Sequence, residues 1–347
     1  MLTILKTPKQ EEEDKQQQLI MMMNVIALVD KSSAKVQEVT KPSPKEGEVL
    51  IKVAYSALDT AFEEVARRTF IPGSLLHNLK VETLVAGWHY SGTVESVAGG
   101  VTDLKVGDAV FGHLQYASST RQGSLAEYIT VPALECAAIP ESIEMDVAAA
   151  VTTEALTALQ GMRDHGGLSE GKSILIIAGG GAVGTQAVQI AKILKAGSVH
   201  AVCSTKDVSK VDKLGADLVI DRTKKDITKG LVPVSYDVIF DTTGKYSFMK
   251  LRYALKKKGA LVSTIPNITT FPPFSTLISI SGKRSKAVMV NCNRKDLELV
   301  GKWMKSGDIH SVPIDGTYRV KDIEDARKRQ ADPKKCGRVV IKVAEGW

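Results

Sequence analysis

The stretch of the chain richest in chemistry runs from Ser173 to Lys192, S-I-L-I-I-A-G-G-G-A-V-G-T-Q-A-V-Q-I-A-K. Read from Gly179, the spacing Gly179, Gly181, Gly184 matches G-x-G-x-x-G. Ile174 to Ala178 just before it is apolar and β-branched, the pattern of a strand buried on both faces of a parallel sheet. Val183, Ala187, Val188 and Ala191 follow at helical spacing. A strand that turns on glycines into a helix gathers bare backbone N–H groups and the positive end of the helix dipole at one point. A pyrophosphate can sit there without help from any side chain. Gly179, Gly181, Ala182, Val183 and Gly184 are therefore the expected dinucleotide cradle, the other reading being a glycine-rich turn with no ligand.

The residues after the next strand decide which dinucleotide. An acid at that strand end binds a free ribose 2′-hydroxyl, whereas a neutral or basic setting accepts a 2′-phosphate. Val199 to Cys203 is followed by Ser204, Thr205 and Lys206, with no carboxylate directly at the end. Arg222, after the third strand, offers a planar fork for the same phosphate. Asp207 is an objection, and Lys206 and Arg222 also read as plain surface charges. The balance points to NADPH. Further along, Thr242 in D-T-T-G borders the adenosine half. Ile265, at the end of a later strand, turns its backbone to the nicotinamide. Asn291, after the last strand, is a similar position.

The elements that hold these groups form two patterns. From Asn24 to about residue 142, short strands with turns follow closely: Glu48 to Tyr55, Val85 to Val97, Val106 to Gly112 and Gly123 to Val131. They suggest a partly closed barrel. Asp59 to Arg68 reads as a short helix between them. Met145 to Met162 then has helical spacing, and strands alternate with helices through Ala287–Val290, as a doubly wound parallel sheet requires. A helix at Asp296–Ser306, an amphipathic stretch at Val320–Arg329 and a strand at Arg338–Val343 close the chain. The division reads 24–142 with 293–347 as one domain, 143–292 as a nucleotide-binding domain, and 1–23 as a disordered polar extension. That extension lacks the apolar core of a secretory signal and any arginine of a transit peptide, so a cytoplasmic protein is expected.

Composition narrows the function classes. The chain has 347 residues and a net charge of +7. A diffuse lysine excess is ordinarily a solvated surface, and no arginine-rich run with interleaved aromatics suggests nucleic acid. The four cysteines, at 136, 203, 292 and 336, form no C-x-x-C pair. A disulfide framework or a cysteine zinc site is not expected. No apolar run reaches the ~18 residues that cross a bilayer.

The chain resembles the medium-chain dehydrogenase/reductase superfamily, in its zinc-free quinone oxidoreductase (zeta-crystallin-like) branch, over about residues 24 to 343. The likeness rests on A-L-D-T-A-F (Ala57–Phe62), G-W-H-Y-S-G-T-V (Gly87–Val94), V-G-D-A-V-F-G, G-S-L-A-E-Y, A-L-T-A-L-Q (Ala155–Gln160), A-G-G-G-A-V-G, L-G-A-D (Leu214–Asp217) and G-R-V-V-I (Gly337–Ile341). It implies a GroES-like barrel domain split by a Rossmann domain, NADPH in the cleft, no metal, and a possible homodimer. It also implies hydride transfer to a quinone or an α,β-unsaturated carbonyl. Thr153 is placed near the nicotinamide by the resemblance, with a helix-start role as its other reading. Asp59 stands where the family often has asparagine, Phe62 where it has aspartate, and His89 where it often has aspartate. Tyr55, Asp59 and His89 are the expected catalytic-pocket residues. His89 would donate to the developing enolate or serve the structure, and Asp59 would bond substrate or cap its helix. A nucleotide-binding member without enzyme activity, associated with RNA or a membrane, is the competing expectation.

Overall fold

The computed structural model describes residues 22–28, 34–58, 84–115, 122–230, 235–345 and 347. Its strands are β1 (Met22–Leu28), β2 (Ala34–Thr40), β3 (Glu48–Leu58), β4 (Leu84–Val85), β5 (His89–Val97), β6 (Ala109–His113), β7 (Tyr128–Pro132) and β8 (Cys136–Ala138). They continue as β9 (Ser173–Ile177), β10 (Ser198–Cys203), β11 (Leu218–Asp221), β12 (Tyr236–Asp241), β13 (Leu255–Ser263), β14 (Arg284–Ala287), β15 (Ile314–Arg319) and β16 (Arg338–Lys342). The helices are α1 (Met145–Gln160), α2 (Ala182–Ile193), α3 (Val208–Lys213), α4 (Ile227–Gly230), α5 (Phe248–Leu251), α6 (Phe274–Ile280), α7 (Arg294–Ser306) and α8 (Ile323–Ala331). None of the helices among the described residues is long and apolar enough to cross a membrane.

The strand-rich part forms a seven-stranded sheet ordered β15-β16-β3-β5-β6-β8, with β7 also on β3, and a three-stranded sheet β2-β1-β4. A bridge from Val25 to Ala126 joins the two. β3 shows why the chain folds so. Val49, Ile51 and Val53 are buried while Lys52 is exposed, so one face feeds the barrel interior. β16 returns from the chain's end to pair antiparallel with β3.

The second sheet has six strands in the order β11-β10-β9-β12-β13-β14, all neighbours parallel. That is the doubly wound order 3-2-1-4-5-6, whose direction reverses between β9 and β12. Ile174, Leu175 and Ile176 of β9 are fully buried, as a strand covered on both faces must be. α1 runs between the sheets with 13 residues buried. One core cluster passes from Phe111 and Ala137 on the barrel sheet through Leu156 of α1 to Ile174 and Phe240. α1 ends in a turn of π-helix at Gly161–His165, where a Cβ on Gly161 would lie 2.6 Å from the Phe240 ring.

The structure corrects several expectations. Ordered chain begins before Asn24: Met22 and Met23 belong to β1 and pair with Thr40 and Val39, because their apolar side chains extend the strand. The last strand of the parallel sheet is Arg284–Ala287 rather than 287–290, since an edge strand keeps its charged face in water. α6 and β15 are additional to the elements expected from the sequence. The helix expected at Asp59–Arg68 lies outside the described residues.

A shared core predicts a shared transition. Leu156→Ala should cost about 2–5 kcal/mol, while the exposed Leu134→Ala stays within about 0.5 kcal/mol, read from urea midpoints. Two separate transitions in the wild-type protein, with only one moved by Leu156→Ala, would contradict a core common to both sheets.

Candidate active site

β9 and β12 end side by side, with Ile177 against Asp241. This is the switch point of the sheet, where a crevice opens beyond the strand ends. Ala178 leaves β9 at φ 63°. The N–H of Gly179 donates to Val202 O and that of Gly181 to Ala178 O, each at 2.9 Å. The chain thus turns within three residues into α2, with Gly181 as N-cap and no side chain capping the helix. Two of the glycines answer different needs. A Cβ on Gly184 would lie 2.1 Å from Ala178 O, so the helix could not pack on the strand. A Cβ on Gly181 would meet only Ala178 O, at 3.3 Å. What it would fill is the approach to the bare amides from the cleft.

Across that cleft stand residues from the barrel side. Glu154 of α1, Val312, Pro313, Lys335, Gly337 and Arg338 face Gly180, Gly181 and Ala182. Arg338 is 6% exposed. Its Nη1 meets Glu154 Oε1 at 2.9 Å and its Nη2 donates to His89 Nε2 at 2.8 Å, while its Nε has no partner in the protein. Thr153 Oγ1 is likewise buried and unpartnered. Burial, then the charge of Arg338, lowers the Lys335 amine from its ordinary value. Lys210 donates to Gly180 O at 2.7 Å and pairs with Asp207 at 3.0 Å. Bare amides, a helix start and this group of cations make the cleft suited to an anion, and the orphaned Thr153 and Arg338 donors to a ligand bearing acceptors.

The expected site residues fall into place unevenly. His89 is corrected: it is fully buried, and its Nε2 lone pair is taken by Arg338, so that nitrogen has no proton to give to a substrate. Its Nδ1 lies 3.4 Å from Thr152 Oγ1 and 3.8 Å from Glu154. It is a structural partner of the arginine. Tyr55 is half-buried on the small cluster of Ala57, Ala150 and Val340, of which Ala150 lines the cleft and Tyr55 does not. Asp59 and Phe62 lie outside the described residues. Ala182 and Val183 open α2, and Thr242 Oγ1 donates to Ile177 O at 2.9 Å across the switch point. Ile265 packs on Gly244 at the end of β13.

Around the expected ribose site, Ser204 donates to Asp207 and Thr205 to Asp221, at 2.7 and 2.8 Å. Both carboxylates are thus occupied. Lys206 reaches Pro333 O at 2.8 Å, tying the two halves together, and Arg222 is exposed beyond β11. Asn291 is not brought to the cleft. Its side chain accepts from Gln115, and it lines a separate groove with Gln160, Arg163 and Asp296.

Sequence reasoning missed Arg338, Lys335, Lys210 and Glu154. A lone glutamate inside the alanine-rich run of α1 and an arginine opening an apolar strand were the available signals. The three buried thiols offer no nucleophile. Burial pushes Cys136 and Cys292 up to about 12 and Cys203 to about 11, so each stays protonated at neutral pH. Among the described residues, no group of three His, Cys, Asp or Glu converges as a metal would need.

Comparison with known proteins agrees with this geometry. Residues 45–141 match the alcohol dehydrogenase GroES-like domain, and residues 214–341 match the zinc-binding dehydrogenase domain. A 2-methylene-furan-3-one reductase of Solanum lycopersicum is 31% identical over 309 residues, 87% of this chain and 74% of the relative. A chloroplastic NADPH-dependent alkenal/one oxidoreductase of Arabidopsis thaliana is 34% identical over 249 residues, 70% of this chain and 61% of the relative. The fold is that of the quinone oxidoreductase from Coxiella burnetii, with a TM-score of 0.80 at 23% identity over 92% of this chain and 99% of that one.

The loop that presents Lys335 and Arg338 hangs on Asp315. Arg329 holds both carboxyl oxygens and the Cys336 N–H adds a third bond. These bonds, Arg329 foremost, keep the Asp315 carboxyl below its ordinary range. A depressed folded-state pKa stabilises above the unfolded value, about 3.9, and the gain disappears as pH falls through the folded value. Asp315→Asn should therefore lower the urea midpoint at pH 7, and the gap to wild type should shrink progressively as pH falls below about 3.9. A gap that persists undiminished in acid would show that the carboxylate charge is not what holds this loop.

Proposed function

The chain belongs to the medium-chain dehydrogenase/reductase superfamily, among its quinone oxidoreductases and enone reductases, and we propose that it uses NADPH to reduce an α,β-unsaturated carbonyl or a quinone. The observation that carries the reading is the uncapped start of α2, with Gly181 bare toward the cleft and the buried Arg338 facing it.

The residues suit the cofactor in three places. The amides of Ala182 and Val183 bind the pyrophosphate, with Gly181 leaving the approach to them open, and Arg338 adds a donor across the cleft. Glu154 and His89 hold that guanidinium in one orientation, so little freedom is lost on binding. Arg222 takes the 2′-phosphate, with the Ser204 and Thr205 hydroxyls turning to it from Asp207 and Asp221, and Thr242 flanks the adenosine half. Thr153 and the backbone at Ile265 orient the carboxamide end. Because Asp207 and Asp221 are already bonded to Ser204 and Thr205, they are less able to claim ribose hydroxyls. The name of the Arabidopsis relative, NADPH-dependent, supports the phosphate reading.

When bound, the reduced nicotinamide supplies a hydride to the electron-poor β-carbon of the acceptor. The chain's task is alignment and exclusion of water. Ala150 and Val312 furnish an apolar wall for that purpose. The oxygen that gains charge needs a hydrogen-bond donor, to which a water is suited, and Asp59 is kept for a bond to the substrate or the nicotinamide ribose. His89 is not suited to that donation, being enclosed. Relatives named as reductases and oxidoreductases favour this reading over a nucleotide-binding protein without activity.

Two measurements test it. NADPH oxidation at 340 nm should rise on adding a 2-alkenal, an enone or a quinone, and Gly181→Asp should abolish both turnover and calorimetric NADPH uptake, since it puts a carboxylate on the phosphate site. Arg222→Ala should raise KM for NADPH about tenfold or more while leaving NADH nearly unchanged, as loss of a charge-assisted phosphate bond implies. NADPH uptake without turnover of any acceptor would sink the enzyme reading. Equal losses for both nucleotides would sink the role of Arg222.

A further inference from the structure

The positive charge of this protein is not diffuse. Between Asp241 and Asp296 lie 54 residues with eleven Lys or Arg and no Asp or Glu, and the rest of the chain is net acidic. The same segment bares several large apolar side chains. Ile265, Ile268, Phe271, Phe274, Leu277 and Ile280 are each 43–80% exposed. Phe274, Leu277 and Ile280 fall three apart on α6 and share its outer side, while Ile278 turns inward onto the core beneath the six-stranded sheet.

Cations gather where this helix ends. Beside Gly282, where an added Cβ would lie 3.9 Å from the Lys257 side chain, Lys258 N–H donates to Gly282 O at 2.6 Å and Lys283 Nζ donates to Arg252 O at 2.6 Å. Arg252, Lys257 and Lys258 are exposed there. Three acids from outside the segment reach its cations elsewhere: Asp237 takes Lys256 at 2.8 Å, Asp226 lies near Lys250, and Asp103 pairs with Arg294.

We propose that this face docks on an anionic lipid bilayer, with α6 and the preceding Phe271 seated among the headgroups and the cations of its rim on lipid phosphates. An exposed apolar face beside a cationic cluster is what such an interface requires. A second copy fits less well. A two-fold axis would set the same lysines against each other, and the exposed Lys286 on β14 blunts that sheet edge against pairing. Nucleic acid would find phosphate contacts, but Ile and Leu give bases no ring on which to stack. The docking is independent of which acceptor the cleft reduces.

The test is sedimentation of the full chain with vesicles of phosphatidylcholine alone or mixed with phosphatidylglycerol. Binding should require the anionic lipid and weaken at high salt. Leu277→Ser should reduce partitioning about tenfold and Lys257→Ala about fivefold, with far-UV dichroism and turnover of soluble acceptors unchanged. Absence of sedimentation with anionic vesicles at low salt overturns the proposal. So does light scattering that shows a dimer which Leu277→Ser dissociates, because the face is then covered by a second copy.

Discussion

A charged pair in a nearly dry seam governs how the cleft is built. Glu154 and Arg338 meet with side chains 6% and 8% exposed. Charges so buried cost several kcal/mol each unless their bonds are well made. Glu154 belongs to α1, Arg338 opens β16, and His89 opens β5, so the cluster is satisfied only when one helix and two strands share one register. α1 also packs against α2. The arrangement that neutralises the cluster is therefore the arrangement that sets Arg338 across from the glycine turn.

The cleft divides its work between backbone and side chain. On the parallel-sheet side the main chain offers amides, and glycines keep them bare. On the barrel side buried side chains supply charge held in fixed orientation. Neither half is complete alone, which is the physical sense of a site at the boundary of two layers. The cations that line it are few and local. Most of the protein's excess charge lies farther along the parallel sheet, on and around α6, beside apolar side chains that the core leaves uncovered. Charge segregation of this kind is invisible in a net value of +7.

Much of this was legible in the residues. The glycine turn, the six parallel strands and the order of elements follow from patterns spanning under twenty residues, where the period of apolar positions reports burial directly. The reading failed where a residue's role depends on a distant neighbour. His89 looked like a donor because a histidine in a strand has a free ring until something packs on it. Arg338, 249 residues away, does so. Asn291 stood at a strand end like the true cleft residues, yet Gln115 and Gln160 draw it into another groove. α6 escaped notice because F-S-T-L-I-S-I keeps its apolar side chains exposed, against the rule that periodicity reveals.

From its sequence alone the chain determined a strand–glycine–helix turn with no side chain capping the helix start, because the geometry of that turn is set by bonds among adjacent residues. Tertiary structure alone decided what faces it. Which side chains enter the cleft depends on how two sheets close on a common helix, and contacts across hundreds of residues leave no period for a sequence to carry.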